Sequence, residues 1–276
     1  MKERMLINHC HVGAVEFGGS NDPEIGTLPK LKQILEAAGV DYAVVFAPFP
    51  KEGLGWSGDA VNRFKDPNEW LAKELKQYAD FFGFACINPK EPDAPGRLVR
   101  AVKLGLLGAK VHPPVHGITL NDLAIDGFFQ AAEELGIPVD IHTGVHGGFL
   151  RTYQPILIDD VAQRHPNLPI IVEHIGGYAF FDQALAVLQN NKNCYVGLTG
   201  TSPHVDNPIY YLPPERTNIL VKTVGADRII YGLDYPWNSD NLAALRTDIE
   251  WIQSWDMPNQ DKEEILGGNL SRLINI

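Results

Sequence analysis

The stretch MLINHCHVG, residues 5–13, decides the fold. It begins as an apolar strand and ends on His9-x-His11 just before Gly13. A doubly wound sheet would place a Gly-rich phosphate turn after its first strand. Two histidines stand there instead. Side chains alternate across a strand, so His9 and His11 share a face and Cys10 points the other way. If that face lines a barrel axis, two neutral imidazoles roughly 6–7 Å apart along the strand can converge on one cation. Cys10 then faces the helix layer and is a poor ligand.

Working outward, seven more runs read as strands: YAVVFAP (42–48), FFGFACINP (81–89), GAKVHPP (108–114), PVDIHTG (138–144), PIIVEHIG (169–176), CYVGLTG (194–200) and RIIYGLDYP (228–236). They are rich in Val, Ile and aromatic residues and are bounded by Gly, Pro or Asn. Helical patterns lie between them. In TLPKLKQILEAAG, Thr27 caps the first turn, Pro29 suits its early position, and Leu31, Ile34, Leu35 and Ala38 share one face. Gly39, Gly105, Gly136 and Gly225 each suit a left-handed helix exit into the next strand. Further helices are read in DAVNRFKDPNEWLAKELKQY, split at Pro67, and in DLAIDGFFQAAEEL, DDVAQRH, FDQALAVLQN, DNLAALRTDIEWIQSW and KEEILGGNLSRLI. Eight strands alternating with helices over about 250 residues predict a (β/α)₈ barrel, a TIM barrel of the α/β class, in one domain over residues 1–276.

The net charge of −11 argues against nucleic acid or an anionic membrane as the main partner. The first residues lack the long apolar segment of a signal peptide. No run approaches the ~20 apolar residues that span a bilayer. Cys10, Cys86 and Cys194 are far apart in sequence, so a disulfide framework is not expected and a reducing cytoplasm is the expected compartment. The oligomeric state stays open, a homo-oligomer included.

Eight of the nine histidines fall at strand ends or in the loops beyond them: His9, His11, His112, His116, His142, His146, His174 and His204. His165, at a helix end, is the exception. A barrel gathers those eight on its carboxyl-terminal face, where barrel active sites are built. His142 ends the fifth strand, and Asp234 ends the eighth, which closes beside the first. With His9 and His11 they make a His₃–carboxylate set suited to one divalent ion, zinc first and manganese second. A single histidine at a strand end is more often packed or hydrogen-bonded than a ligand; the convergence is what argues for a metal.

These residues resemble the amidohydrolase superfamily, in its amidohydrolase-2 branch. The resemblance is carried by NHCHVG (8–13), GAKVHPP (108–114), DIHTG (140–144), EHIGG (173–177), YGLDYPW (231–237) and ILGGNLSRL (265–273), and covers essentially the whole chain. It implies metal ligation by His9, His11, His142 and Asp234. It makes His174 the residue that positions or activates water, or polarises the substrate. Many relatives carry an acidic residue two positions before the His-x-His pair, where this chain has Ile7. Some use a carboxylated lysine at the end of strand 4 to bridge two metals. Lys110 and His112 share a face here, but His112 is level with the site and Lys110 a layer deeper, which favours one metal.

The leading expectation is metal-dependent hydrolysis of an amide, ester or lactone in a small substrate. A divalent ion activates water, Asp234 takes its proton, and His174 acts as general acid or base. The alternative is non-oxidative decarboxylation or hydration of a small unsaturated or aromatic acid, since the branch includes aminocarboxymuconate-semialdehyde and resorcylate decarboxylases. Such an acid needs a cationic clamp, for which Arg151 and Lys51 are candidates. Trp56, Tyr153 and Trp237 are candidate pocket walls, and Lys110 and His112 candidate substrate contacts. A barrel that only binds a ligand would show an incomplete ligand set.

Overall fold

Eight parallel strands close into a barrel in chain order, the eighth pairing with the first. They are β1 (Leu6–His11), β2 (Tyr42–Phe46), β3 (Phe81–Cys86), β4 (Gly108–Val111), β5 (Val139–His142), β6 (Ile170–Glu173), β7 (Cys194–Thr199) and β8 (Ile229–Tyr235). Each lies within the run predicted for it. The computed structural model describes residues 4–13, 22, 24–49, 64–203 and 207–276. Among these, no helix is long and apolar enough to cross a membrane.

Helices follow the strands as α1 (Leu28–Ala38), α2 (Pro67–Glu74), α3 (Ala94–Lys103), α4 (Asp126–Leu135), α5 (Leu157–Arg164), α6 (Gly177–Asn190), α7 (Pro214–Val224) and α8 (Asn241–Gln253). The fold is a (β/α)₈ TIM barrel. The Thr27 hydroxyl accepts from Lys30 N at 3.3 Å, and Gly39 leaves α1 in the left-handed region at φ 72°. Gly225 differs from its expected exit: its ψ of 154° extends the chain rather than coiling it.

Two helices escape the sequence reading. Pro95 and Gly96 in the first turn of α3 read as loop, although proline is at home there. In α7 only Thr217, Leu220 and Val224 are buried, too sparse a stripe to stand out. Pro67 begins a helix: Asp66 caps α2, accepting from Asn68 N at 2.8 Å, while residues 59–63 of the stretch predicted before it lie outside the described residues. The expected C-terminal helix is broken by a π-type turn at Glu264–Gly268. Gly267 there lies so close to β1 that a Cβ would come 2.7 Å from Leu6 N.

Two apolar layers position the site. One lies between strands and helices and takes Ile7, Cys10, Val45, Ile141, Val172, Leu198 and Leu233. The other fills the lower barrel with Leu6, Val44, Phe46, Phe84, Ile171 and Ile230. Together they alternate along each strand, and above the lower plug the barrel interior turns to buried polar and charged groups such as Asn8, His9, Lys110, Asp140 and Glu173. Below β8, buried Arg228 donates to the carbonyls of Leu188, Asn191, Cys194 and Val224 at 3.0–3.3 Å. Arg228→Met leaves these acceptors unpaired and is expected to cost about 3 kcal/mol, read as a lower urea midpoint.

Candidate metal centre and active site

Strict alternation along β1 would send either Asn8 or His9 outward. The strand avoids this with a bulge: Ile7 pairs with Ala43 but Cys10 with Val45, so β1 spends one residue more than β2. His9 takes up the slack at φ 64°. Asn8, His9 and His11 thereby all face inward, while Ile7 and Cys10 stay in the helix-side layer. The same device recurs on β6 and β8. His174 has φ 61° and follows the inward Glu173; Asp234 has φ 61°, where the register of β8 against β1 slips by one residue. Left-handed backbone costs a non-glycine residue about 1–3 kcal/mol, and three residues of one site adopt it here.

The inward groups meet at the bottom of a cavity of about 370 Å³. His9, His11 and Asp234 each present one ligand-type atom, all within 4.8 Å of one another. His9 Nε2 is 3.4 Å and His11 Nε2 3.7 Å from Asp234 Oδ1. The atoms around a tetrahedral ion at about 2.05 Å stand about 3.3 Å apart, so these separations suit a shared cation. Burial holds His9, His11, His112 and His142 well below the usual imidazole range, with neighbouring imidazoles and Lys110 adding to it. Neutral rings are the form that binds metal. Glu173 Oε2 lies 2.8 Å from His9 Nδ1 but outside hydrogen-bond geometry, and the opposite ring nitrogen, Nε2, faces the Asp234 carboxyl. An imidazole nitrogen and a carboxyl oxygen set this way suit a cation between them. Burial, reinforced by Glu173 and Asp140 and opposed by Lys110, pushes Asp234 up to about 7.

His142 lines the same cavity but stands outside that three-residue cluster. Its ring stacks on His112 at 3.9 Å between centroids and meets His174 edge-on at 4.7 Å. Its Nε2 is buried without a hydrogen-bond partner, as expected of a nitrogen kept for a ligand. His174 Nδ1 lies 3.0 Å from the Thr199 carbonyl, which accepts its proton and leaves Nε2 as the available nitrogen. Burial holds His174 down to about 3.

The other predicted site residues divide. His112 and Trp237 line the cavity, with Phe49, Val115, Tyr210 and Asn238. Lys110 does not: it is fully buried below, 2.5 Å from Asp140 Oδ1. Tyr153 is also fully buried and is no wall; its hydroxyl accepts from His146 N at 3.2 Å. Arg151 lies over the exposed Phe149 ring at 4.3 Å, away from the cavity lining. Trp56, Lys51 and His204 lie outside the described residues.

The floor beneath the cluster was missed in the sequence. Asn8 Nδ2 donates to Asp140 Oδ2 at 2.8 Å and to Glu173 Oε2 at 3.1 Å. Asp140 carried a signal, since it shares a face with His142 as Lys110 does with His112. Asn8 and Glu173 follow the inward Leu6 and Ile171 by alternation, but reading His9 and His174 as inward hid them, because the positive φ at each histidine puts two consecutive residues on the same face. Gly232 leaves room for this arrangement: a Cβ there would fall 3.0 Å from His9 Cβ and overlap Thr199 Oγ1. Gly232→Ala is expected to cost about 1–3 kcal/mol and to displace His9, seen as a lower denaturant midpoint together with weaker metal binding.

Comparison with known proteins agrees with this architecture. The profile of the amidohydrolase family, amidohydrolase-2 group, matches residues 27–276. Gamma-resorcylate decarboxylase of Polaromonas sp. is 24% identical over 299 aligned positions, covering 88% of this chain and 86% of the relative. The structure of 5-carboxyvanillate decarboxylase from Novosphingobium aromaticivorans, complexed with manganese and 4-hydroxy-3-methoxy-5-nitrobenzoic acid, superposes with a TM-score of 0.75 at 16% identity, covering 100% and 97% of the two chains. A dihydroxybenzoic acid decarboxylase from Polaromonas sp., with manganese and the inhibitor 2-nitroresorcinol, gives 0.71 at 17% identity, covering 99% and 97%. With the profile spanning nine-tenths of its length, this chain is an enzyme of the amidohydrolase family, in the amidohydrolase-2 branch.

Proposed function

We propose that the chain is a non-oxidative decarboxylase of a small hydroxylated aromatic acid, working with one divalent ion held by His9, His11, His142 and Asp234. The observation that carries this reading is the convergence of His9, His11 and Asp234 at the floor of a cavity walled by Phe49, Tyr210 and Trp237. The volume suits a substituted benzoate, and aromatic walls suit a planar ring. The relatives named above tip the reaction toward decarboxylation and away from hydrolysis, and two of them hold manganese with a nitro-substituted phenol. Manganese is therefore the first ion to test and zinc the second.

When bound, the ion supplies a fixed positive charge that receives oxygen atoms of the acid and draws negative charge from its ring. No lysine or arginine is among the described residues lining the cavity, so the neutral imidazole of His112 would supplement the ion in holding the anion. Replacing a carboxyl group by hydrogen requires one proton at the ring carbon. The bond to the carboxyl carbon breaks, its electron pair returns to the ring, and CO₂ leaves. Asp234 and His174 are the proton-handling groups of the cavity, with His174 acting through Nε2.

Hydrolysis of an ester, amide or lactone would use the same groups, and the family profile is its support. Metal-stripped protein reloaded with Mn²⁺ or Zn²⁺ separates the two. CO₂ release from 2,6-dihydroxybenzoate or related hydroxybenzoates is expected, lost with chelator and restored by metal. Turnover of a lactone or ester panel with no CO₂ from any hydroxybenzoate would overturn the reading.

A further inference from the structure

Beneath the upper cluster lies a second group of ligand-type atoms. His9, Asp140 and Glu173 offer one each, all within 4.8 Å of one another and all buried. The His9 ring stands between the two groups, Nε2 toward Asp234 at 3.4 Å and Nδ1 toward Glu173 at 2.8 Å. That Nδ1 is buried and meets no partner with hydrogen-bond geometry, although His9 is only 1% exposed. The lower group thus has two carboxylates and an open imidazole nitrogen, the donor set of a cation site. Lys110 reaches into it from β4. Its Nζ is 2.5 Å from Asp140 Oδ1 and 5.0 Å from the centre of the Phe46 ring.

We infer that the Lys110 ammonium is the built-in cation of this lower site, standing where a second divalent ion would otherwise bind. Two carboxyl groups with no exposure can both stay ionised only with positive charge beside them, since desolvation costs several kcal/mol per ion. A side chain anchored on a strand supplies that charge whatever the metal supply. It also answers why donors for two sites share one histidine without needing two ions: the second charge is covalently attached. This inference rests on the proposed upper site only for the number of ions in the unmodified chain.

The test is metal stoichiometry. Lys110→Met keeps the length of the side chain and removes its charge. After chelation and equilibration with Mn²⁺, the variant is expected to hold one more Mn²⁺ per chain than the unmodified protein. Its melting temperature should continue to rise at Mn²⁺ concentrations that no longer affect the unmodified protein. A companion, Lys110→Met with Asp140→Asn, lacks one carboxylate and is expected to fold and to hold the same number of ions as the unmodified protein. A folded Lys110→Met with no extra ion overturns the inference. So does a Lys110→Met that fails to fold even in millimolar Mn²⁺ while the companion folds, because a divalent ion then cannot replace the ammonium. If neither folds, Lys110 supplies packing rather than charge, and the inference is again wrong. The count is read as a difference, so an unmodified chain that holds no ion defeats the upper site alone.

Discussion

Asp234→Asn is expected to lower turnover by about 10³-fold and to weaken metal binding by more than about 100-fold, with the barrel intact. Two of the closest approaches in the cluster, to His9 Nε2 and His11 Nε2, end on the same Asp234 oxygen. An amide oxygen carries no full charge to hold a cation, and the amide cannot deliver a proton as a carboxyl can. The backbone should tolerate the change, because asparagine is among the few residues that enter the left-handed region readily, and Asp234 sits at φ 61°. The melting temperature of the metal-free variant should therefore stay within a few degrees of the parent. Isothermal titration with Mn²⁺ and single-turnover kinetics read the two losses separately. Undiminished metal affinity in a folded Asp234→Asn would remove this residue from the ligand set.

His174→Asn should behave differently. Its Nδ1 is committed to the Thr199 carbonyl, and it stands beside the upper cluster rather than in it, its ring 4.9 Å from that of His9. Metal content and affinity should match the parent, while kcat falls by about 10²–10⁴-fold. Asparagine again suits the backbone, since His174 has φ 61°. A loss confined to KM would make His174 a binding group, and normal turnover would exclude it from proton handling.

The barrel was legible because its signals are local. Eight apolar runs punctuated by Gly and Pro, five of them ending on a histidine or acid, survive any uncertainty over helix ends. Helices with weak stripes, such as α7, were not legible, because strands already cover most of the core and demand little from them. At the site, alternation correctly placed His11 and Cys10 on opposite faces, and it offered Lys110 and Asp140 as residues one layer below His112 and His142. It hid Asn8 and Glu173, because the positive φ at the histidine after each puts two consecutive residues on the same face. Tyr153 and Arg151 stand outside the cavity lining for another reason. A loop residue after a strand carries no periodicity, so nothing in its neighbours says whether it turns inward.

The positive φ angles at His9, His174 and Asp234 also restrict what these positions can become. Histidine and aspartate belong to the short group of L-residues enriched in that conformation. Glutamate, cysteine or a β-branched side chain would bring both new chemistry and a backbone penalty. Swapping donors to retune the site for a softer metal is thus blocked at two of its positions before electronic preference enters. His11, with no such angle, is the position where a changed ligand would meet least resistance, and any drift in metal choice should begin there.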